Sequence, residues 1–366
     1  MFAITSTRVL VYKDRRRLLN SHELFEFMRK HKLSTARPRL SDVARAAGVS
    51  TMTVSRALRD PAKVAPETMR RVQKVLRKTG YTPDLMAREL ASKRSGLVAV
   101  IVPVLTNSLI AEIVQGLTSA LAADGLHVVL GVSDFKVDEE EEMIRTFLSR
   151  RVDAIYLSGA LRSPESRRML LAAGIPVVEG VNLGDNPIDM AVGHSNLAAA
   201  YETTRHLIDR GYDPIAYIGA QLLDNDRARD RRRGYEAALL GAGRTPDPQL
   251  YIEATLDLTA GAQAMATLLT RSPRVRAVFC YSDVLAVGAH FECQRRGIAI
   301  PGEMAIAGYD DLEIAGQIVP TLTSLRVPRY EIGRRAGKMI CQRLANQQVD
   351  EKIVNTGFEL VVRDSS

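Results

Sequence analysis

"AAGVSTMTVSRAL", residues 46–58, gathers hydrogen-bond donors and small apolar groups at helical spacing. Thr51, Met52, Ser55, Arg56 and Arg59 fall on one side of a helix whose other side holds Val54 and Leu58. The guanidinium of Arg56 can donate in bidentate fashion to guanine O6 and N7. Met52 and the methyl of Thr51 suit apolar contact with thymine. This is recognition chemistry, with no covalent step. The plainer alternative is an ordinary helical hairpin of a globular core whose outer face is merely solvated.

The surrounding elements favour recognition. Leu40, Val43, Ala44 and Ala47 share one helical face, and Ser41 stands where a cap is expected. Gly48 lets the backbone leave that helix with positive φ, and Ser50 caps the next one. Ala44 is small where the two helices cross. A third helix begins at Pro66 and Glu67, buries Met69, Val72, Val75 and Leu76, and ends at Gly80. The pattern is a helix-turn-helix. "PDLMARELASKRS", residues 83–95, has about two turns of helical pattern, too short to hold alone. It reads either as a plain linker or as a hinge that becomes helical on DNA.

Charge points the same way. The 366-residue chain carries a net +8, but residues 1–95 hold 22 Lys and Arg against 8 Asp and Glu, while the remainder holds 28 against 34. The basic excess lies wholly in the first quarter, as expected of a segment that sits on phosphates. Residues 1–37 read as a poorly ordered extension.

From Gly96 the rhythm becomes strand, helix, strand, as in "LVAVIVPV", "DAIYLSG", "IPVVEGV", "PIAYIGA" and "AVFCYSD". About a dozen strands are too many for one open sheet of usual width, so two doubly wound α/β lobes are expected, with ligands at the strand ends between them. The expected lobes are 96–193 with 323–353, and 194–322 with 354–366.

Several classes are excluded. No dinucleotide or P-loop glycine pattern and no GxSxG elbow occurs. Six scattered histidines and three cysteines form no metal-ligand set, so no metal or cofactor is expected, and His194 and His290 read as ordinary polar positions. The run Glu139–Glu142 reads as a favourable helix start. No apolar run reaches the about 20 residues of a membrane span, and no secretory leader is legible, so a cytoplasmic protein with reduced thiols is expected.

"LSDVARAAGVSTMTVSRALRDPAKVAPETMRRVQKVLRKTGYTPDLMARELASKRS" resembles the head and hinge of the lactose-repressor family of bacterial transcription regulators, and "SDVLAVGAHFECQRRGIAIPGEMAIAGYDD" resembles that family's effector core. The likeness spans about residues 38–363. Within the family it runs to gluconate-utilisation repressors, through "KVAP", "AGIPVVEGVNLGDNPIDMAVGHSN" and "VFCYSDVLAVGAHFECQRRG".

The resemblance implies a homodimeric repressor with a DNA-reading head (38–82), a hinge helix (83–95) and a periplasmic-binding-protein-like core (96–366). It implies no enzyme activity. No leucine-heptad tail follows the core, so a tetramer built through one is not expected. Thr51 and Met52 are placed at base edges, Arg56 at a base or a phosphate, with Arg59 on the same face. Ser50, Thr53, Ser55 and Lys63 are placed at phosphates. Leu90 matches a hinge leucine that wedges into the minor groove at the operator centre; packing against the core is its alternative. Departures from the family include Ala65, which weakens the third helix's cap, and Asp84 where Asn is usual.

Leu109, Ile110, Ser158, Glu179, Arg227, Arg231, Ser282, Asp283 and Asp310 match the family's effector contacts. Two arginines suit a carboxylate or phosphate, and the acidic and hydroxyl groups suit sugar hydroxyls, so the implied effector is a sugar acid such as gluconate, or its phosphate. Two alternatives stay open for these positions. Arg227 and Arg231 lie in "RARDRRRG", which can also be a solvated basic face, and Asp283 can merely cap its helix. A soluble sugar-binding protein without DNA function, and an activator of the same fold, are the competing functions.

Overall fold

The computed structural model describes residues 38–81, 94–105, 108–184 and 186–366. The expected extension (1–37), most of the hinge and Leu90 lie outside the described residues. The chain divides into two compact units, parting at Arg88 and Glu89.

The first unit holds α1 (Leu40–Ala47), α2 (Thr51–Arg59) and α3 (Pro66–Thr79). Val43, Ala44, Ala47, Val54, Ala57 and Val72 form its buried core. Gly48 takes φ +64°, and the Val49 N–H donates to the Ala44 carbonyl, closing α1. Ser50 accepts from the Thr53 N–H at 3.1 Å and so caps α2. The start of α1 differs from expectation. Ser41 lies inside the helix, and the carboxylate of Asp42 accepts from the Arg39 N–H at 2.9 Å. A carboxylate in the first turn also meets the helix dipole favourably, which a hydroxyl does not.

The second unit contains two six-stranded sheets. The first runs β11-β5-β4-β3-β1-β2, from β1 (Leu97–Val102), β2 (His127–Val132), β3 (Ala154–Ser158), β4 (Val177–Asn182), β5 (Met190–His194) and β11 (Ile353–Asn355). The second runs β12-β10-β9-β8-β6-β7, from β6 (Ile215–Gly219), β7 (Tyr251–Glu253), β8 (Ala277–Cys280), β9 (Ala305–Asp310), β10 (Thr323–Arg326) and β12 (Glu359–Val361). The ladders are parallel except for β10 with β12.

The expected lobe boundary needs one correction. Strand β10 lies in the second lobe, pairing with β9 in parallel through Leu325 and Tyr309. The chain returns to the first lobe only after Arg326. Pro328, which has no N–H to give a ladder, marks the exit.

Helices α4 (Ser108–Ala122), α5 (Val137–Ser149), α6 (Pro164–Ala173) and α11 (Arg329–Leu344) flank the first sheet. Helices α7 (Asn196–Asp209), α8 (Asp226–Gly241), α9 (Leu258–Arg271) and α10 (Asp283–Arg295) flank the second. The pairs α4–α11 and α7–α8 cross so closely that only glycine fits. A Cβ on Gly333 would lie 1.9 Å from the Ile113 carbonyl oxygen, and one on Gly234 would lie 2.2 Å from that of Leu197. Both obstacles are backbone, so helices must move apart to admit a methyl. Gly333→Ala is therefore expected to destabilise the core by about 1–3 kcal/mol, read as a lower urea midpoint with unchanged secondary structure.

Candidate nucleic-acid interface and effector cleft

On the head, Thr51, Met52 and Arg56 project into solvent, Met52 with 65% of its surface exposed. Ser55 is half-buried beside them. Ser50 and Thr53 bond to each other through their hydroxyls at 2.9 Å, which fixes the start of α2. Lys63 is exposed and ion-paired with Asp60 at 2.7 Å. The side chain of Arg59 lies outside the described residues. Arg70, Arg71, Lys74, Arg77 and Lys78 add an exposed cationic surface on α3 that motif reading passed over.

In the core, a cleft of about 630 Å³ is bordered by Phe135, Lys136, Asn225, Leu256 and Ser282. Two smaller chambers share Phe135 with it. One, of about 30 Å³, is lined by Glu140, Ser158, Arg162, Asp226 and Arg227. The other, of about 40 Å³, is lined by Ile110, Arg227, Arg231, Tyr281, Ser282 and Asp310. A larger concavity of about 770 Å³ lies elsewhere, among Leu148, Met169 and Arg343. Among the described residues its lining has no buried polar atom lacking a partner, whereas the small chambers have several.

Helix α8 brings its two arginines inward. Arg227 and Arg231 are buried, while Arg233 of the same run is exposed. Four-residue spacing puts both on one helical face. Arg227 donates from Nη1 to the Ser158 hydroxyl at 3.2 Å, and its Nε lies 3.6 Å from Asp226. Arg231 donates from Nε to Asn196 Oδ1 at 2.8 Å and from Nη1 to the Tyr281 carbonyl at 2.6 Å. Its guanidinium lies 3.4 Å from the Tyr309 ring centroid and 4.3 Å from that of Tyr281. A second Arg231 nitrogen stands 3.9 Å from Asp310.

Asp310 ends β9 with φ +106°, and Val181, another lining residue, has φ +76°. Such backbone is strained in non-glycine residues and clusters where a ligand site holds it. Burial pushes the Asp310 carboxyl up to about 6, against the pull of Arg231 and Arg329. One of its oxygens has no hydrogen bond.

The other expected positions divide. Ser282 lines the cleft and caps α10, and Ile110 lines it from α4. The Leu109 side chain is not described. Glu179 stands behind the chamber, accepting from the Ile188 N–H at 2.8 Å and lying 4.0 Å from Arg162. Asp283 does not line the cleft. Its carboxylate accepts from the Ser324 hydroxyl at 2.5 Å and the Leu312 N–H at 2.7 Å, tying α10 to the loop after β9.

Sequence reading missed Glu140, Arg162, Asp226, Asn182 and Asn196. Glu140 was hidden in an acidic run, yet Ile144 four residues on is buried and signals the inward face. Asp226 accepts from the Ala160 N–H at 2.7 Å and from Asn182 Nδ2 at 3.0 Å. Asn196 links Asn182 to Arg231. His194 donates to or accepts from Tyr309 at 2.6 Å, and burial pushes its ring down to about 3, so it stays neutral.

The description "Bacterial regulatory proteins, lacI family" matches residues 39–84, and "Periplasmic binding proteins and sugar binding domain of LacI family" matches residues 95–358. The chain belongs to the LacI family. It is a DNA-binding transcription regulator and not an enzyme. It is 38% identical to the HTH-type transcriptional regulator GntR of Pseudomonas aeruginosa over 338 residues, which cover 92% of this chain and 98% of that one. It is 35% identical to GntR of Escherichia coli K12, covering 88% and 97%. A LacI-family regulator from Silicibacter pomeroyi superposes with a TM-score of 0.84 at 32% identity, over 90% of this chain and 99% of that one. Among the described residues no helix is long and apolar enough to cross a membrane, and no three potential ligands gather as a metal site.

The buried acids of this LacI-family core give a pH signature. Burial pushes the Asp283 carboxyl up to about 8. Unfolded, such a group titrates near about 3.9. The folded state therefore holds a proton the unfolded state has lost, and the associated stability is complete below about 4 and gone once pH passes about 8. Asp310 adds the same sign up to about 6. The thermal midpoint is expected to fall between pH 5 and pH 8.5, and Asp283→Asn to flatten the fall above pH 6, measured by calorimetry across buffers.

Proposed function

We propose that the protein is a homodimeric cytoplasmic repressor whose operator affinity is set by a sugar acid, gluconate or a related acid or phosphate ester, held between the core lobes. The carrying observation is the buried pair Arg227 and Arg231, with open acceptors on both sides, in a chain that also bears an outward-facing Thr51, Met52 and Arg56. Each guanidinium has a carboxylate near it, Asp226 at 3.6 Å and Asp310 at 3.9 Å, but neither contact is a hydrogen bond, so both cations keep N–H capacity for an anion. Glu140, Ser158, Ser282 and Asp310 supply partners for hydroxyls. The identity of 35–38% to GntR regulators is consistent with a sugar-acid reading.

In this reading Arg56 and Thr51 contact base edges, Ser50, Thr53, Ser55 and Lys63 position the head on phosphates, and Leu90 wedges at the operator centre. The effector bridges the lobes and alters their angle. That change disturbs the hinges, so the operator is released.

A gel shift on the protein's own promoter region is expected to show binding that weakens steeply with salt and is relieved by gluconate. Arg56→Ala should lower specific affinity by about 1–3 kcal/mol. Arg227→Gln should keep operator affinity and lose the gluconate response. Binding that ignores salt, or release by gluconate that survives Arg227→Gln, would contradict the reading.

A further inference from the structure

The two chambers flanking Arg227 differ in charge. On the side of Arg231, two guanidinium groups face one carboxylate, Asp310. On the other side, Glu140, Asp224, Asp226 and, behind them, Glu179 stand against Arg162, Arg227 and Lys136.

Arg162 is not free to turn toward a ligand. Its Nη atoms donate to the Leu161 and Gly159 carbonyls, the latter at 2.7 Å. Its Nε stands 3.3 Å from Glu140 and makes no hydrogen bond. Asp226 is committed to Ala160 and Asn182. Glu140 Oε1 is ion-paired with Arg162 Nε at 3.3 Å but accepts no hydrogen bond, and Glu140 lines a chamber of about 30 Å³. On that measure a water needs about 10–15 Å³, so the space suits a hydroxyl-bearing carbon.

We propose that Glu140 determines specificity by accepting a hydrogen bond from the terminal hydroxyl of an unphosphorylated acid and excluding the terminally phosphorylated one. The inference rests on the sugar-acid reading above. The ligand carboxylate sits toward Arg227 and Arg231, and its polyol tail points to Glu140. A hydroxyl has the proton that a carboxylate acceptor needs. A phosphate dianion has none to give, is larger than the chamber, and meets a like charge.

The test is calorimetric titration of the full-length protein at pH 7.5 with gluconate and with 6-phosphogluconate, repeated on Glu140→Gln. Wild type is expected to prefer gluconate by about 30-fold or more, the scale of a like-charge contact at intermediate dielectric. Glu140→Gln keeps the shape and removes the charge, so the preference should shrink at least about tenfold. Equal or tighter binding of the phosphate by wild type overturns the inference without any variant. A preference unchanged in a folded Glu140→Gln protein overturns the role of Glu140. If wild type binds neither acid, the sugar-acid reading falls and this inference falls with it.

Discussion

Two guanidinium groups removed from water dominate the core. A buried cation is costly unless hydrogen bonds, carboxylates or aromatic faces compensate its lost hydration. Arg231 is stacked against Tyr309 and Tyr281 and held by Asn196 and a main-chain carbonyl. Asn196 in turn reaches Asn182, which reaches Asp226, which reaches back to the main chain at Ala160. The network spans both lobes, since Ala160 follows β3 and Asn182 ends β4 of the first sheet, while Asn196, Asp226 and Arg231 sit on second-lobe helices. His194 and Tyr309 close a second bridge. The lobes are thus joined across the cleft by directional polar contacts, which have a small number of discrete arrangements. A ligand that competes for the same donors can select among them.

Strain lies at the same place. Val181 and Asp310 hold positive φ at strand ends that border the cleft. Gly193 passes so near Val181 that a Cβ would stand 2.8 Å from its carbonyl carbon. The backbone on both sides of the ligand space is therefore fixed by close packing, and the polar atoms it carries are preorganised.

Much of this was legible in the residues. Helical and strand periods located the elements, Gly48 and Ser50 marked the turn of the head, and the alternation after Gly96 implied two sheets. What escaped notice depended on burial, which a periodic pattern does not always declare. Arg227 and Arg231 stood in a run of five arginines, and only the packing of α8 against α7 separates the inward pair from the solvated ones. Glu140 looked like one more charge at a helix start. Asp283 sits beside Ser282 in sequence, yet points into the lobe, because Ser282 holds the cap position and the next side chain must turn under β9 and β10. Strand β10 was placed in the wrong lobe because nothing in "LTSLRVP" names the sheet it joins; the partner, β9, is set by tertiary pairing. Ser41 was a reasonable cap by type, but Asp42, one residue on, could reach the Arg39 N–H.

Coupling between cleft and operator is the centre of the account, and linkage makes it reciprocal. The direct measurement is gluconate affinity of the full-length protein, free and saturated with operator DNA, at one salt concentration. Operator should weaken gluconate binding by the same factor, about 5–150-fold, by which gluconate weakens operator binding. Equal gluconate affinity in the two states would contradict the coupling.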